Sequence, residues 1–386
     1  MLMDLAAPNR VAPPHRVWAG QGGLGVGMFG GVKIPKTMKA VVYRGANDLR
    51  VEELPVPRIR SGELLVRVEV CGVCPTDIKK IQYATVAPPR VFGHETAGTI
   101  VQVGRGVEAW RVGDRVALHH HVPCRDCHYC RHGAYAQCAT YKRTGITAGF
   151  EPAGGGYAEY VRVMPFVLPG VVKIPRGNSF EEGAMLEPVN TVLKAVRRLR
   201  VMEGDRVMVM GQGPIGLMFT RLLELAGVEV AATDLMDERL RLAGQFGAAR
   251  AWRADDLGLP ERLRRWTRGY GLDAVVVAVP VEAAVHQAVG WVRGGGQVLL
   301  FAHTKRGDGV SLDLADICVD EKDVIGSYSA DVTLQREVAR LVFGRKLDVR
   351  ELVTHRFPLE RTAEAVAMAA KPGPGGLKVV VEARGG

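Results

Sequence analysis

Two hydrophobic periods divide the chain. From Met38 onward, apolar and polar residues alternate in short runs: Met38 to Tyr43, Glu63 to Val70, Gly98 to Val103, and Asp114 to Leu118 after a Gly-Asp turn. A period of two puts successive side chains on opposite faces of a strand, so these runs predict half-buried strands. The Gly and Pro between them predict a β-rich module extending to about residue 187. There the register changes. Strand candidates Arg206 to Met210, Val228 to Thr233, Ala274 to Val279 and Gln297 to Phe301 alternate with amphipathic stretches such as Asp237 to Gly247 and Pro260 to Arg268. That is the signature of βαβ units, a parallel sheet with helices on both faces. After about residue 327 a helix candidate (Leu334 to Phe343) and a last strand (Lys378 to Glu382) remain. Residues 1–37 carry Pro13-Pro14, a glycine-rich patch from Gly20 to Gly31 and no periodicity, and are expected to be a flexible extension.

Composition narrows the class. At 386 residues, with ~150 per domain as a guide, two or three domains fit. A hydrophobic fraction of 47% with 24% charged residues excludes wholesale disorder. No run reaches the ~18–20 apolar residues of a membrane span, and the first 37 residues lack the apolar core of a secretory signal. A cytoplasmic setting is therefore expected, where thiols stay reduced and the seven cysteines read as metal ligands rather than disulfides. The net charge of +10 is scattered; Arg197-Arg198-Leu199-Arg200 and Arg262 to Arg268 read as solvated helix faces. Neither a nucleic acid nor a membrane is expected as a partner.

Four cysteines, Cys124, Cys127, Cys130 and Cys138, fit C-x2-C-x2-C-x7-C. Four thiolates on one loop surround a zinc ion tetrahedrally and leave no open position, so this site is structural. Arg125, Asp126 and Arg131 between them make a buried apolar cluster a poor alternative. A second set is dispersed: Cys71 and Cys74 in VCGVCPTD, His94 and Glu95 in VFGHETAG, and Glu187 in MLEPVN. Together they offer the mixed sulfur, nitrogen and oxygen donors of a catalytic zinc with a position left for water or substrate. Gly211-Gln212-Gly213-Pro214-Ile215-Gly216 follows a predicted strand and opens a helix, the context a dinucleotide pyrophosphate requires. Asp234 ends the next strand, where a carboxylate accepts from the adenosine ribose hydroxyls and repels a 2′-phosphate; NAD is favoured over NADP. His119-His120-His121 reads as a strand end, and Cys71 and Cys318 as small buried residues.

These motifs resemble those of the zinc-containing alcohol dehydrogenases of the medium-chain dehydrogenase/reductase family. G-H-E-x2-G-x5-G-x2-V from Gly93 to Val107, the upstream Cys74-x-Thr76-Asp77, the four-Cys loop and the glycine-rich turn occur in that family's order over roughly residues 38–386. The resemblance implies an α/β architecture: a GroES-like β-rich catalytic domain (38–187 and 328–386) interrupted by a Rossmann domain (188–327), and a homodimer or homotetramer. It implies Cys74, His94 and Glu95 as zinc ligands, Glu187 as a ligand directly or through a water, and Asp77 as the carboxylate orienting His94. Arg239 lies where the family often has a basic residue near the ribose. Thr76 matches the start of the family's proton relay, whose next member is a His where this chain has Lys79.

Glu187 in place of a cysteine resembles the polyol and threonine dehydrogenase branches. The expectation is a zinc- and NAD-dependent enzyme moving a hydride from a small-molecule alcohol, with Thr76, Glu95 and Glu187 as catalytic residues. A simple primary or secondary alcohol dehydrogenase is the alternative. A non-catalytic zinc- and NAD-binding sensor is the alternative from another class.

Overall fold

The computed structural model describes residues 34–119, 121–143, 145–151, 154–302, 307, 309–373 and 375–383. The expected extension lies outside them up to residue 33, as does His120. Residues from Pro35 onward form one compact unit built on two main sheets.

The first sheet is curled and mostly antiparallel. Strand Leu64–Gly72 pairs with Glu95–Val103, which pairs with Arg115–Leu118. The C-terminal strand Lys378–Glu382 returns from the far end of the chain to the other edge of Leu64–Gly72, and Val353–Pro358 lies parallel to it. A smaller sheet is built on Thr37–Gly45, paired antiparallel with Asp48–Pro55. That last strand was not foreseen. Its sequence, DLRVEELP, is largely charged, and its pairing with Thr37–Gly45 rather than its own pattern makes it a strand.

The second sheet has six parallel strands in the spatial order Arg250–Arg253, Glu229–Asp234, Arg206–Met210, Leu272–Val277, Val292–Leu300, Asp323–Gly326. In chain order that is 3-2-1-4-5-6, the doubly wound arrangement. Its central strands are apolar on both faces, as burial under helices on both sides requires. Helix Leu186–Val196 joins the two sheets: one core contains Val189, Val192 and Val196 of this helix with Val70 and Ala97 of the curled sheet, Val207 of the parallel one, and Leu217 and Phe219 of the helix Pro214–Leu225. The helix was not predicted although its sequence carries the signal: Glu187, Thr191 and Lys194 recur at helical spacing among apolar residues. Cys318 is a correction: it is exposed, on the five-residue helix Leu314–Cys318, none of whose residues is buried. So short an element offers no pattern from which to assign a lone cysteine to a face. Among the described residues no helix is long and apolar enough to cross a membrane.

Candidate active site

Strand pairing assembles the dispersed set. Gly72 lies opposite Glu95 in the antiparallel ladder, so Cys74, two residues beyond Gly72, and His94, one before Glu95, emerge at the same end. Cys74 is the extended N-cap of helix Pro75–Tyr83, whose first turn holds Thr76 and Asp77 and whose leading proline suits a position with no N–H partner to lose. Gly93 has φ +96, and a Cβ there would stand 2.7 Å from the Cys71 sulfur; the turn that aims His94 admits only glycine. Cys71 is buried beside it, with its sulfur 3.4 Å from the Thr96 hydroxyl, and serves packing.

The ligand atoms of Cys74, His94 and Glu95 lie within 4.8 Å of one another, close enough for one cation to touch all three. Asp77 faces His94 Nδ1 across 3.1 Å, which leaves Nε2 for a metal. Burial pushes the Asp77 carboxyl up, but the imidazole beside it outweighs this, and its pKa lies below the ordinary carboxylate value. Glu95 is buried and ion-paired: Lys378 Nζ stands 2.6 Å from Oε1 and 2.5 Å from Oε2, and donates to the Val73 carbonyl at 3.0 Å. Glu187, in the first turn of helix Leu186–Val196, is outside the 4.8 Å group. It is nonetheless near: burial raises its pKa to about 7, with His94 opposing that rise and Glu95 adding to it. Thr76 is part-exposed beside Cys74.

The four-Cys loop passes a sharper test. A zinc ion bound at ~2.3 Å by four sulfurs needs them about 3.8 Å apart. The sulfurs of Cys124 and Cys130 are 3.9 Å apart, those of Cys127 and Cys130 3.6 Å, and those of Cys124 and Cys138 3.6 Å. Backbone N–H groups also point at sulfur, Cys127 to Cys124 at 3.3 Å and Cys124 to Cys138 at 3.5 Å, as suits thiolates.

The glycine-rich turn follows strand Arg206–Met210, at the point where strand order reverses and ligands bind in such sheets. A Cβ on Gly216 would lie 1.8 Å from the Gly211 carbonyl, so helix Pro214–Leu225 approaches its strand only with glycine there. Gly213 caps that helix and Ile215 packs on the core. Asp234 is buried under the same turn: Oδ2 accepts from Gln212 N–H at 2.7 Å and Oδ1 from Met236 N–H at 3.0 Å. Arg239 stands 3.8 Å from Asp234 and donates to the Gly376 carbonyl at 3.2 Å.

The alcohol dehydrogenase GroES-like domain family matches residues 60–176, and the zinc-binding dehydrogenase family residues 214–344. A sorbitol dehydrogenase of Bacillus subtilis (strain 168) is 30% identical over 355 residues, 90% of this chain and 98% of that one. The chain belongs to the zinc-containing alcohol dehydrogenase family. Another relative, a sorbitol dehydrogenase of Bombyx mori, is 31% identical over 340 residues, 86% of this chain and 94% of its own. The crystal structure of 2R,3R-butanediol dehydrogenase from Bacillus subtilis superimposes with a TM-score of 0.77 at 26% identity, covering 90% of this chain and all of that one. The protein is thus an oxidoreductase of this family, with its GroES-like half-barrel and Rossmann-like sheet. Within that frame, sequence reasoning passed over Lys378. Its signal was present: a lysine opens a terminal strand that otherwise reads Val-Val-Val.

Proposed function

We propose that the protein is a zinc- and NAD-linked dehydrogenase of polyols or related secondary alcohols. One observation carries this reading: Cys74, His94 and Glu95 converge to within reach of one cation, and the buried Glu187 lies near enough to feel the charges of His94 and Glu95. That donor set is harder than a two-thiolate site. The residues fit the metal, and the names of the sorbitol dehydrogenase relatives support the substrate class.

Bound zinc supplies Lewis acidity to a substrate hydroxyl, and bound NAD supplies the hydride acceptor. Asp77 fixes the His94 ring and keeps Nε2 turned inward. Lys378 holds Glu95 in place and balances its charge in a buried setting. Thr76 Oγ1 takes the hydroxyl proton toward solvent; with Lys79 where the family's relay has a histidine, the outward path differs from its relatives. Asp234 accepts the ribose hydroxyls and disfavours a 2′-phosphate, and Arg239 flanks the same position. The outer edge of strand Asp323–Gly326, unpaired among the described residues, with Leu314 and Val319 exposed on the segment that leads into it, supports a homodimer or homotetramer, which sedimentation analysis checks.

The test is NAD reduction by zinc-loaded protein on sorbitol, xylitol, inositol, threonine, butane-2,3-diol, ethanol and propan-2-ol. Turnover on a polyol or diol at least tenfold above the simple alcohols is expected. Activity on simple alcohols alone overturns the substrate class; silence on all, with zinc and NAD bound, overturns the catalytic reading in favour of a sensor.

A further inference from the structure

The chain passes between the two sheets twice, through helix Leu186–Val196 and again through residues 327–334. Tyr141, from the four-Cys lobe, fastens the second passage. It lies in the short helix Ala139–Lys142, which follows directly on Cys138. Its carbonyl accepts from His121 Nδ1 at 2.7 Å, and its ring stacks on His121 at 4.6 Å and 9°. Its hydroxyl donates to the Ala330 carbonyl at 2.6 Å and keeps its lone pairs for the Ser329 hydroxyl at 2.8 Å.

The segment so held is unusual. Ser329 has φ +62, a conformation that residues with a side chain rarely adopt. Asp331 N–H donates to Asn190 Oδ1 at 2.8 Å, and Asn190 Nδ2 donates to Gln335 Oε1 at 2.8 Å. Lys194 Nζ donates to the Tyr328 carbonyl at 2.8 Å. Asn190 and Lys194 belong to the helix whose first turn carries Glu187. Short stretches of backbone and hydrogen bonds therefore lead from Cys138, through Tyr141, to both passages between the sheets.

We propose that Tyr141 is a positioning residue for hydride transfer: its hydroxyl sets the 327–334 passage and, through Asn190, the Glu187 helix, and so the register of the cofactor turn against the Cys74–His94 group. The proposal rests on the dehydrogenase reading above. Cys74 and His94 belong to the curled sheet and the glycine-rich turn to the parallel one, so donor and acceptor are aligned only as well as the passages between the sheets. Hydride transfer needs the reacting atoms ~3–3.5 Å apart, and a 1 Å misplacement costs about a hundredfold.

Tyr141→Phe keeps the ring on His121 and every backbone bond, and removes one hydroxyl. We expect kcat on the best alcohol to fall about tenfold, and the primary deuterium isotope effect to rise as hydride transfer becomes limiting. NADH affinity and two zinc equivalents are expected to be retained. Ser329→Ala is expected to lie between wild type and Tyr141→Phe. In a double-mutant cycle with Asn190→Ala, the losses in kcat are expected to be non-additive. Wild-type kcat and isotope effect in Tyr141→Phe, or strict additivity in the cycle, overturns the proposal. Amide hydrogen exchange gives a readout independent of turnover: faster exchange over 327–334 and 186–196 in Tyr141→Phe supports the coupling, and unchanged exchange overturns it. If wild type oxidises no alcohol, the dehydrogenase reading fails, and the exchange measurement still decides whether Tyr141 couples the passages.

Discussion

Lys378 and Glu95 form a buried ion pair across the end of the curled sheet, with Nζ 2.6 Å from Oε1 and 2.5 Å from Oε2. The lysine arrives from the last strand of the chain, 283 residues from its partner. Burial disfavours its charge, and Glu95 more than compensates, so its pKa is raised. Removing one member leaves the other charged and unpaired. Lys378→Met is expected to cost about 3–5 kcal/mol in urea unfolding, and the double change with Glu95→Leu to recover most of it.

Asp77 acts through His94. Its carboxylate, 3.1 Å from Nδ1, fixes which nitrogen is offered to a metal. Asp77→Ala is expected to weaken zinc binding roughly 10- to 100-fold, as loss of such an orienting partner does elsewhere. Competition with a chromophoric chelator measures this without recourse to activity. Unchanged affinity counts against the orienting role.

At the cofactor turn, Asp234→Asn keeps the side-chain shape and one carbonyl acceptor but loses the charge. The ratio of kcat/KM for NAD over NADP is expected to fall about tenfold, because repulsion of a 2′-phosphate disappears. An unaltered ratio means that other groups set the preference.

Two histidines give the fold an acid limit. Burial lowers the pKa of His119 to about 4 and of His121 to about 3. A histidine whose folded pKa is depressed takes up its proton first in the unfolded chain, near pH 6.5. Stability is then full above that pH and declines as pH falls from 6.5 toward 4, at about 1.4 kcal/mol per pH unit for each histidine. Chemical denaturation between pH 5 and 7 measures the slope. His119→Gln, which retains a donor for the His121 carbonyl, is expected to remove about half of the histidine contribution.

The central strand Arg206–Met210 and the terminal strand Lys378–Glu382 were legible to the residue, because their apolar patterns end at charges or turn residues. The motifs whose side chains cluster were legible too. Cysteine spacing fixes the four-Cys loop locally, and Cys74 with His94 lies at the ends of two strands whose alternation is plain. Strand Asp48–Pro55 and helix Leu186–Val196 were missed for different reasons: half of the strand's residues are charged, so its pairing marks it rather than its pattern, whereas the helix carries a period, in Glu187, Thr191 and Lys194, that was passed over.

The sequence by itself thus determined the two-sheet architecture, the cysteine, histidine and glutamate residues that come together in the fold, and the glycine-rich turn, since each depends on residues near one another in the chain or on periodicity. Tertiary structure alone decided that Lys378 neutralises Glu95, that Glu187 stands outside the closest ligand group while feeling its charges, and that Tyr141 ties the four-Cys lobe to the passage between the sheets. These relationships span from about 90 to almost 300 residues of sequence. A side chain's partner at that separation is set by how the strands and helices pack, and no local pattern records it.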